Sequence, residues 1–531
     1  MAKTNQIQNI PAEKFQFAKG RDLSHDSKLS TKPVSYFQGA FRRFCKNKGA
    51  AVAAVIILCL VLFAILAPFF TPFTPSYYDM TYSYVTPRIA LFADKGIHFW
   101  DGGRDRAVGY TPYIKDYALG QEIGRDVIMD GEYTMSVDEE GNTIYSYRYD
   151  TYAGVGFGKY KIISEEEFLD IQRYQNETGR QVLYPIVKLS DRPEKEKNKY
   201  DANIYYKVED KKAAVVRPVL DDEGNVVTNY WKVKTTSTSS LVAPYDSLRI
   251  EGQDGFEEKG VQYVYAYGRR VDGGIEVRAE YNEYYTYQHT QVLKDGIEEP
   301  SFLFGTTETG KDIFACLAYG ARFSFIFATL VVVINSIGGI IVGSIIGYYG
   351  GKIDLFTCRV MEILGAIPSM IVITLLKYHM GSASQVLVLM IAFVVTGWIG
   401  MAWSTRTQFY RFKNQEYVLA ARTLGANDRR IMFKHIFPNG IGTLVTGLAL
   451  SIPSMIYSET TFSYLGIINL EAGNTTSVGT MIASGQKGVV ANAAYVAIFP
   501  CVFLVLLMLS FNLFGNGLRD AFNPSLRGTE D

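Results

Sequence analysis

"AAVAAVIILCLVLFAILAPFF", residues Ala50 to Phe70, holds about 21 consecutive residues without a charged side chain. Wound as a helix rising 1.5 Å per residue it reaches about 31 Å, matching a hydrocarbon core about 30 Å thick. A cleaved leader would have an apolar run of about 7–15 residues near the N-terminus, closed by a small-x-small site. This run begins only at Ala50, is longer, and ends without such a site. It reads as a retained transmembrane helix. Just before it, "RRFCKNK" (Arg42 to Lys48) carries four bases and no acid, which places residues 1–48 in the cytoplasm.

Further apolar segments lie beyond residue 300. "ARFSFIFATLVVVINSIGGIIVGSIIGYYG" (Ala321 to Gly350) begins the set, followed by Leu355 to Leu376, Val386 to Trp403, Ile441 to Ser458 and Ala491 to Phe514. Arg359, Glu362 and Pro453 interrupt the third and fifth spans. Six spans entered from inside return residues 516–531 to the inside. They also place residues 71–300 outside, before a helical core at 301–515. Charge agrees with that topology. Formal net charge is zero over 531 residues, so nothing in the total argues for nucleic acid, but the zero is partitioned. Residues 71–300 carry about 39 acids against about 28 bases, leaving the remainder about +11.

The most basic connection is the stretch at 406–439, predicted to lie inside. It holds Arg406, Arg411, Lys413, Arg422, Arg429, Arg430 and Lys434 against Glu416 and Asp428. Its centre, "EYVLAARTLGANDRRIMFKHIFPN" (Glu416 to Asn439), predicts a short alanine-rich helix with Val418 and Ala421 near one face. Gly425 ends it in the left-handed conformation, and Asn427 caps a second helix that Ile431, Met432 and His435 continue until Pro438. Pro438 suits the first turn of the next span. Small residues at this elbow admit close approach by another backbone. Physics alone also allows an amphipathic connector on anionic lipid headgroups.

The same residues carry a resemblance. "EYVLAARTLGA…IFPN" resembles the cytoplasmic Glu-Ala-Ala loop of permeases from binding-protein-dependent ABC importers, with Ala420, Ala421, Gly425 and Pro438 in place. Leu419 stands where that family often has Glu, and Phe437 where it has Leu. "FGTTETGKDIFACLAYGARFS" and "GYYGGKIDLFTCRVMEILGAIPSM" are similar to blocks of the dipeptide and oligopeptide C-type permeases, as are "SETTFSYLGI" and "NLFGNGLRDAFNPSLR". Coverage is about Gln38 to Phe70 plus Phe304 to Arg527, so residues 71–300 form an insertion.

The resemblance implies a non-catalytic permease subunit, most simply for oligopeptides, with dipeptides, nickel or a non-transporting membrane sensor as alternatives. It implies a homologous second permease subunit, two cytoplasmic ATPase subunits, a soluble or lipid-anchored extracellular binding protein, and a bacterial, Gram-positive cytoplasmic membrane. No cofactor or metal is expected in this chain, since ATP and Mg belong to the partners. Glu416, Ala420, Ala421, Gly425, Ala426, Asp428, His435 and Pro438 are the expected ATPase-coupling residues.

"GTTETGKD" (Gly305 to Asp312) mimics a P-loop, but Asp312 stands where Mg²⁺ needs Ser or Thr, and the segment is predicted outside the cell. Glu459 and Ser463, near the outer end of the fifth span, either line a translocation path or tie helices together. Arg359 and Glu362 are spaced to pair on one helix face. Asn335, Gly338, Gly339 and Gly343 form a small-residue stripe for close helix packing.

The fold class is therefore an α-helical polytopic membrane protein with an inserted, strand-rich α+β extracellular domain. In that insertion "YTMSVDEEGNTIYSYRY" and "AVVRPVLDDEGNVVTNYWKV" each set a Gly-Asn turn between alternating residues, as hairpins do. "SEEEFLDIQRYQNETG" predicts a helix with a Ser164–Glu167 capping box and Gly179 at its end. The insertion lacks cysteine, which excludes a disulfide framework there.

Overall fold

The computed structural model describes residues 36–89, 100–123, 125–156, 160–180, 182–183, 187–188, 203–205, 230–232, 257–258, 261–265, 268–297, 299–381, 383–470 and 475–522. Helix α1 (Tyr36–Lys46) precedes α2 (Lys48–Phe70), whose cap Asn47 accepts a hydrogen bond from the Ala50 amide at 3.2 Å. α2 is the apolar helix expected from Ala50 to Phe70.

The inserted region follows. β1 (Gly103–Gly109), α3 (Tyr110–Ile123), β2 (Ile128–Val137) and β3 (Thr143–Asp150) build an antiparallel sheet in the order β1-β3-β2, with α3 against it. The β2–β3 hairpin is the first one expected. The Asp138 carboxylate accepts from the amides of Glu140 and Asn142 at 3.0 and 2.7 Å, and Gly141 takes the positive φ of +85°. Tyr113 of α3 stacks on Tyr145 at 4.6 Å. The second expected hairpin lies outside the described residues except for Tyr230–Lys232, which pairs with Asn203–Tyr205.

β4 (Tyr160–Ile163) leads into α4 (Glu165–Thr178), capped by Ser164, which accepts from the Glu167 amide, and closed by Gly179 at φ +71°. The capping box is only half formed. The Glu167 carboxylate turns away to accept from Tyr284 Oη and Gln288 Nε2 at 2.5 and 2.6 Å, because a tertiary partner outcompetes its own backbone. Gly268–Val271 and Gly274–Arg278 extend the β4 sheet, and α5 (Tyr281–Tyr287) continues through the π turn Gln288–Val292.

The expected border at residue 300 is not a break in packing. Tyr82, Tyr152, Tyr285 and Phe302 bury against one another and against Ala315, two residues into α6 (Ile313–Tyr349). Tyr82 Oη donates to Asn282 Oδ1 at 2.8 Å, and Asn282 Nδ2 to the Tyr152 carbonyl at 3.0 Å. The P-loop look-alike forms the tight turn into α6. Gly310 at φ +74° leaves no room for a side chain against the Asp79 carbonyl, and Asp312 caps the amides of Phe314 and Ala315.

After α6 come α7 (Gly351–Gly365), α8 (Ser369–His379), α9 (Gln385–Phe412) and α10 (Glu416–Thr423). Then follow α11 (Asp428–Tyr464), α12 (Val478–Val490) and α13 (Tyr495–Phe522). Among the described residues five helices are long and apolar enough to cross a membrane, or six if α7 and α8, bent by 75° where they meet, are taken as one span. The bend falls inside the third segment expected from Leu355 to Leu376. Pro368 has no amide to continue a helix and disfavours helical geometry in Ile367 before it.

α6 and α11 each run 37 residues. At 1.5 Å per residue that is about 56 Å, so each overshoots a hydrocarbon core about 30 Å thick by some 25 Å. α6 spends its excess at both ends, in the inserted region and at the 416–439 elbow.

The small-residue stripe packs α6 on α9, but with one member exchanged. A Cβ at Gly339 would stand 2.6 Å from Met401 Cβ, one at Gly343 2.7 Å from Thr405 Cβ, and one at Gly347 2.6 Å from Phe409 Cβ. Gly338 sits to the side, where a Cβ would meet Trp398 Cβ at an ordinary 3.7 Å. Four-residue spacing therefore puts Asn335, Gly339, Gly343 and Gly347 on one face. Asn335 completes it by donating to the Phe393 carbonyl at 3.2 Å.

Candidate functional site

The elbow folds as its local residues dictate. α10 buries Val418 fully and Ala421 nearly so, while Ala420 and Glu416 are exposed. Gly425 adopts φ +81°, and the amides of Gly425 and Ala426 close the helix on the carbonyls of Arg422 and Ala421 at 3.0 and 3.1 Å. Asn427 then caps α11 by accepting from the Arg430 amide at 2.9 Å. The second helix runs past His435 to Pro438, as expected. It passes through a π segment, Ile431–Ile436, and continues into the span, with Pro438 in its first turn. The missing Pro438 amide falls at the junction between the π segment and the α-helical turns that follow.

Beneath the elbow Val418, Ile431, Met432 and Ile436 pack with Tyr348 of α6 and Phe409 of α9. Burial on this scale, at about 25 cal/mol per Å² of apolar surface, makes the elbow a solid extension of three helices. Polar contacts give it direction. Tyr348 Oη donates to Asp428 Oδ1 at 2.6 Å and accepts from Arg422 Nη2 at 3.3 Å, so one hydroxyl joins α10 and α11 to the end of α6. Tyr349 Oη reaches the other Asp428 oxygen at 3.5 Å, and Asn439 Nδ2 donates to Tyr417 Oη at 3.2 Å. Lys413 Nζ donates to the Gly347 carbonyl at 3.0 Å.

The opposite surface is apolar and open. Leu424 is 87% exposed, and Leu419 and Phe433 are about half exposed. Among the described residues, apart from its two chain neighbours, nothing lies within 4 Å of where a Gly425 Cβ would stand. Glu416, Ala420, Gly425 and Asp428 thus share the exposed side or its rim. Ala421 and the half-buried Ala426 and His435 form its backing.

Sequence reasoning missed a second tie at this end of the bundle. Asp354 of α7, almost buried, accepts from Arg406 Nε and Nη2 at 2.5 and 2.7 Å and from Tyr410 Oη at 2.7 Å. A forked, charge-assisted pair of this kind fixes α7 to α9 in one orientation. The Arg359–Glu362 pair is present as expected, at 2.6 Å on an exposed face.

At the far end of α11 the two candidate path residues separate. Glu459 is fully buried and accepts from Ser324 Oγ at 3.2 Å and Ser463 Oγ at 2.9 Å. It ties α11 to α6 and presents no surface to a path within this chain. Ser463 does border an open cavity of about 360 Å³, shared with Thr480 and Ser484 of α12 and rimmed by the Lys487–Glu308 ion pair at 2.9 Å.

Two families match the chain. One, described as "N-terminal TM domain of oligopeptide transport permease C", covers residues 35–87. The other, "Binding-protein-dependent transport system inner membrane component", covers residues 339–528. The segment between them includes the inserted region. The oligopeptide transport system permease protein OppC of Bacillus subtilis is 38% identical over 244 residues, 46% of this chain and 78% of the relative. The dipeptide transport system permease protein DppC of the same organism is 38% identical over 224 residues, 42% and 69% of the two chains. A solved structure of the MetNI methionine ABC transporter in inward-facing form aligns with 39% of this chain and 96% of its own, at 17% identity. Its TM-score of 0.33 is too low to carry weight.

Proposed function

The chain belongs to the permeases of binding-protein-dependent ABC transporters, in their oligopeptide and dipeptide C-type branch, and we propose that it carries oligopeptides across a bacterial cytoplasmic membrane. It is the non-catalytic membrane subunit of an ABC peptide importer, working with ATPase subunits, a partner permease and a binding protein. In finer terms, two cytoplasmic ATPase subunits grip the elbow, and a homologous second permease closes the path. A soluble or lipid-anchored binding protein delivers peptide from outside. Both termini are then cytoplasmic and residues 71–300 extracellular.

The observation that supports this most is the mechanical continuity of the elbow. Its exposed face of Ala420, Leu424 and Gly425 backs directly onto α11 and, through Tyr348, onto α6. A displacement of the elbow is therefore a displacement of two helices that run to the outer end. ATP shifts the importer between states only to the extent that its subunits contact the elbow differently in each.

The test is ATP-dependent uptake of a labelled pentapeptide by vesicles holding the complete importer. Pentapeptides should compete and dipeptides should compete poorly. Dipeptide competition alone would assign the shorter substrate, to which DppC points as strongly as OppC. ATP hydrolysis by this chain without its partners would remove the reading.

Tyr348→Phe should separate hydrolysis from transport. It deletes a hydroxyl bonded to a carboxylate, a contact worth about 1.5–3 kcal/mol, and leaves the ring packing. Uptake per ATP hydrolysed should fall at least fivefold while ATPase association persists. An unchanged ratio would show that the hydroxyl is only structural.

The inserted region, in this reading, holds the binding protein over the path. Its support is its seat on α13: Trp100 lies 6.0 Å from Phe499, on which Phe304, just past the inserted region, stacks at 4.1 Å, and Tyr495 Oη donates to the Val85 carbonyl at 3.0 Å. Trp100→Ala should weaken binding-protein stimulation of ATPase activity severalfold and leave basal activity alone. Excising residues 77–298 is a poorer test, because it strips Tyr82, Tyr152 and Tyr285 from the cluster that covers Phe302.

A further inference from the structure

Between the Tyr77–Thr81 loop, β4 and α5 the inserted region encloses an open cavity of about 380 Å³, walled by tyrosines including Tyr281, Tyr284 and Tyr285. A lysine reaches into it. Lys161 Nζ lies 3.8 Å from the Tyr284 ring centroid and 5.7 Å from that of Tyr281. The nearby carboxylates are occupied by other donors. Glu167 accepts from Tyr284 Oη and Gln288 Nε2, while Asp79 accepts from Tyr281 Oη at 3.2 Å to each oxygen and from the Thr81 amide at 3.0 Å.

Among the described residues, Lys161 has ring faces as its neighbours and no carboxylate within ion-pair distance. A half-buried ammonium that rests on π faces and feels the Glu167 and Asp79 charges only through space keeps N–H donors for an acceptor from outside. Burial already pushes its pKa below the ordinary lysine value, which an incoming anion would reverse. The surrounding acids Asp79, Glu167 and Asp295 repel a dianion such as phosphate about twice as strongly as a single carboxylate, and the ring walls favour an apolar group beside the charge.

We propose that this cavity binds a single carboxylate carried beside an apolar or aromatic side chain, as at the C-terminal residue of a peptide. Lys161 takes the carboxylate, and the rings of Tyr281 and Tyr284 hold the side chain. The volume suits one or two residues. The carboxylate chemistry stands on the cavity alone, whereas its identification with a peptide end rests on the importer reading. That end is either a free solute or the C-terminus of the binding protein.

The experiment uses the complete importer in lipid nanodiscs, with N-acetyl-phenylalanine and its amide as probes in an equilibrium titration. The acid should bind saturably and the amide at least tenfold more weakly. Lys161→Met should lower affinity for the acid at least tenfold, and Lys161→Arg should keep it within a fewfold. Equal binding of acid and amide, or wild-type affinity in Lys161→Met, would overturn the proposal. Competition by intact binding protein but not by a form lacking its last residues would identify a docking tail. Competition by free pentapeptide alone would identify a solute, and competition by neither would also overturn it. Pentapeptide uptake by Lys161→Met vesicles reports the importer reading separately.

Discussion

Gly425→Val should reduce peptide uptake at least tenfold while the chain still inserts and folds. Two effects act together at this position. The backbone holds φ at +81°, which an L-residue enters at a cost of about 1–2 kcal/mol and a β-branched one enters less readily still. The added side chain also stands on the open face of the elbow, where among the described residues nothing but the chain neighbours lies within 4 Å of its Cβ. Nothing inside the subunit is therefore overpacked, and the substitution strikes the surface proposed to meet the ATPase. Gly425→Asn separates the two effects, since asparagine tolerates left-handed geometry but still fills the surface. If close approach by the partner dominates, Asn should abolish co-purification of the ATPase subunits almost as fully as Val. If the turn dominates, Asn should retain it. Full uptake by the Val variant would remove the elbow from the mechanism.

Gly343→Leu should prevent recovery of the folded subunit altogether. Its Cβ would meet Thr405 Cβ at 2.7 Å and the backbone of Ala402, neither of which can move without shifting α9. Helices in a bilayer gain little from the hydrophobic effect against each other and rely on close contact. Pushing α6 off α9 therefore forfeits the contacts made along Gly339, Gly343 and Gly347 and the Asn335–Phe393 hydrogen bond. Overpacking costs about 1–3 kcal/mol, and more where backbone rather than a flexible side chain must give way. The matched control is Gly338→Leu, one residue before Gly339, where a Cβ makes an ordinary contact at 3.7 Å. Thermal unfolding in detergent should show the control near wild type and the Gly343 variant aggregated. Equal behaviour of the two would mean that the α6–α9 seam does not hold the bundle.

These pairs also mark where reading the chain in one dimension succeeds. Gly425, Asn427 and Pro438 were legible because a left-handed turn, a helix cap and a first-turn proline are each decided within four residues. Ser164, Gly179 and the Asp138–Asn142 turn were legible for the same reason. The stripe on α6 was legible as small residues, but its partner was not. That ambiguity placed Gly338 on the seam and left Gly347 off it. Depth alone allowed Glu459 to belong to a path or to a tie, and depth could not name Ser324 and Ser463, whose hydroxyls it meets where it is buried.

By itself, then, the sequence determined the membrane helices, the caps and bend of the elbow, and the family. Each depends on hydropathy or backbone preference acting over one helix length or less. Only the tertiary structure decided what those helices are fastened to. Tyr348 meets Arg422 and Asp428 across 74 and 80 positions, Asp354 meets Arg406 across 52, and Tyr82 meets Asn282 across 200. No local rule chooses among the many tyrosines and arginines that could make such bonds. The choice belongs to whichever side chains the packed helices bring within about 3 Å of one another, where a buried polar group must find a partner or lose its hydration uncompensated.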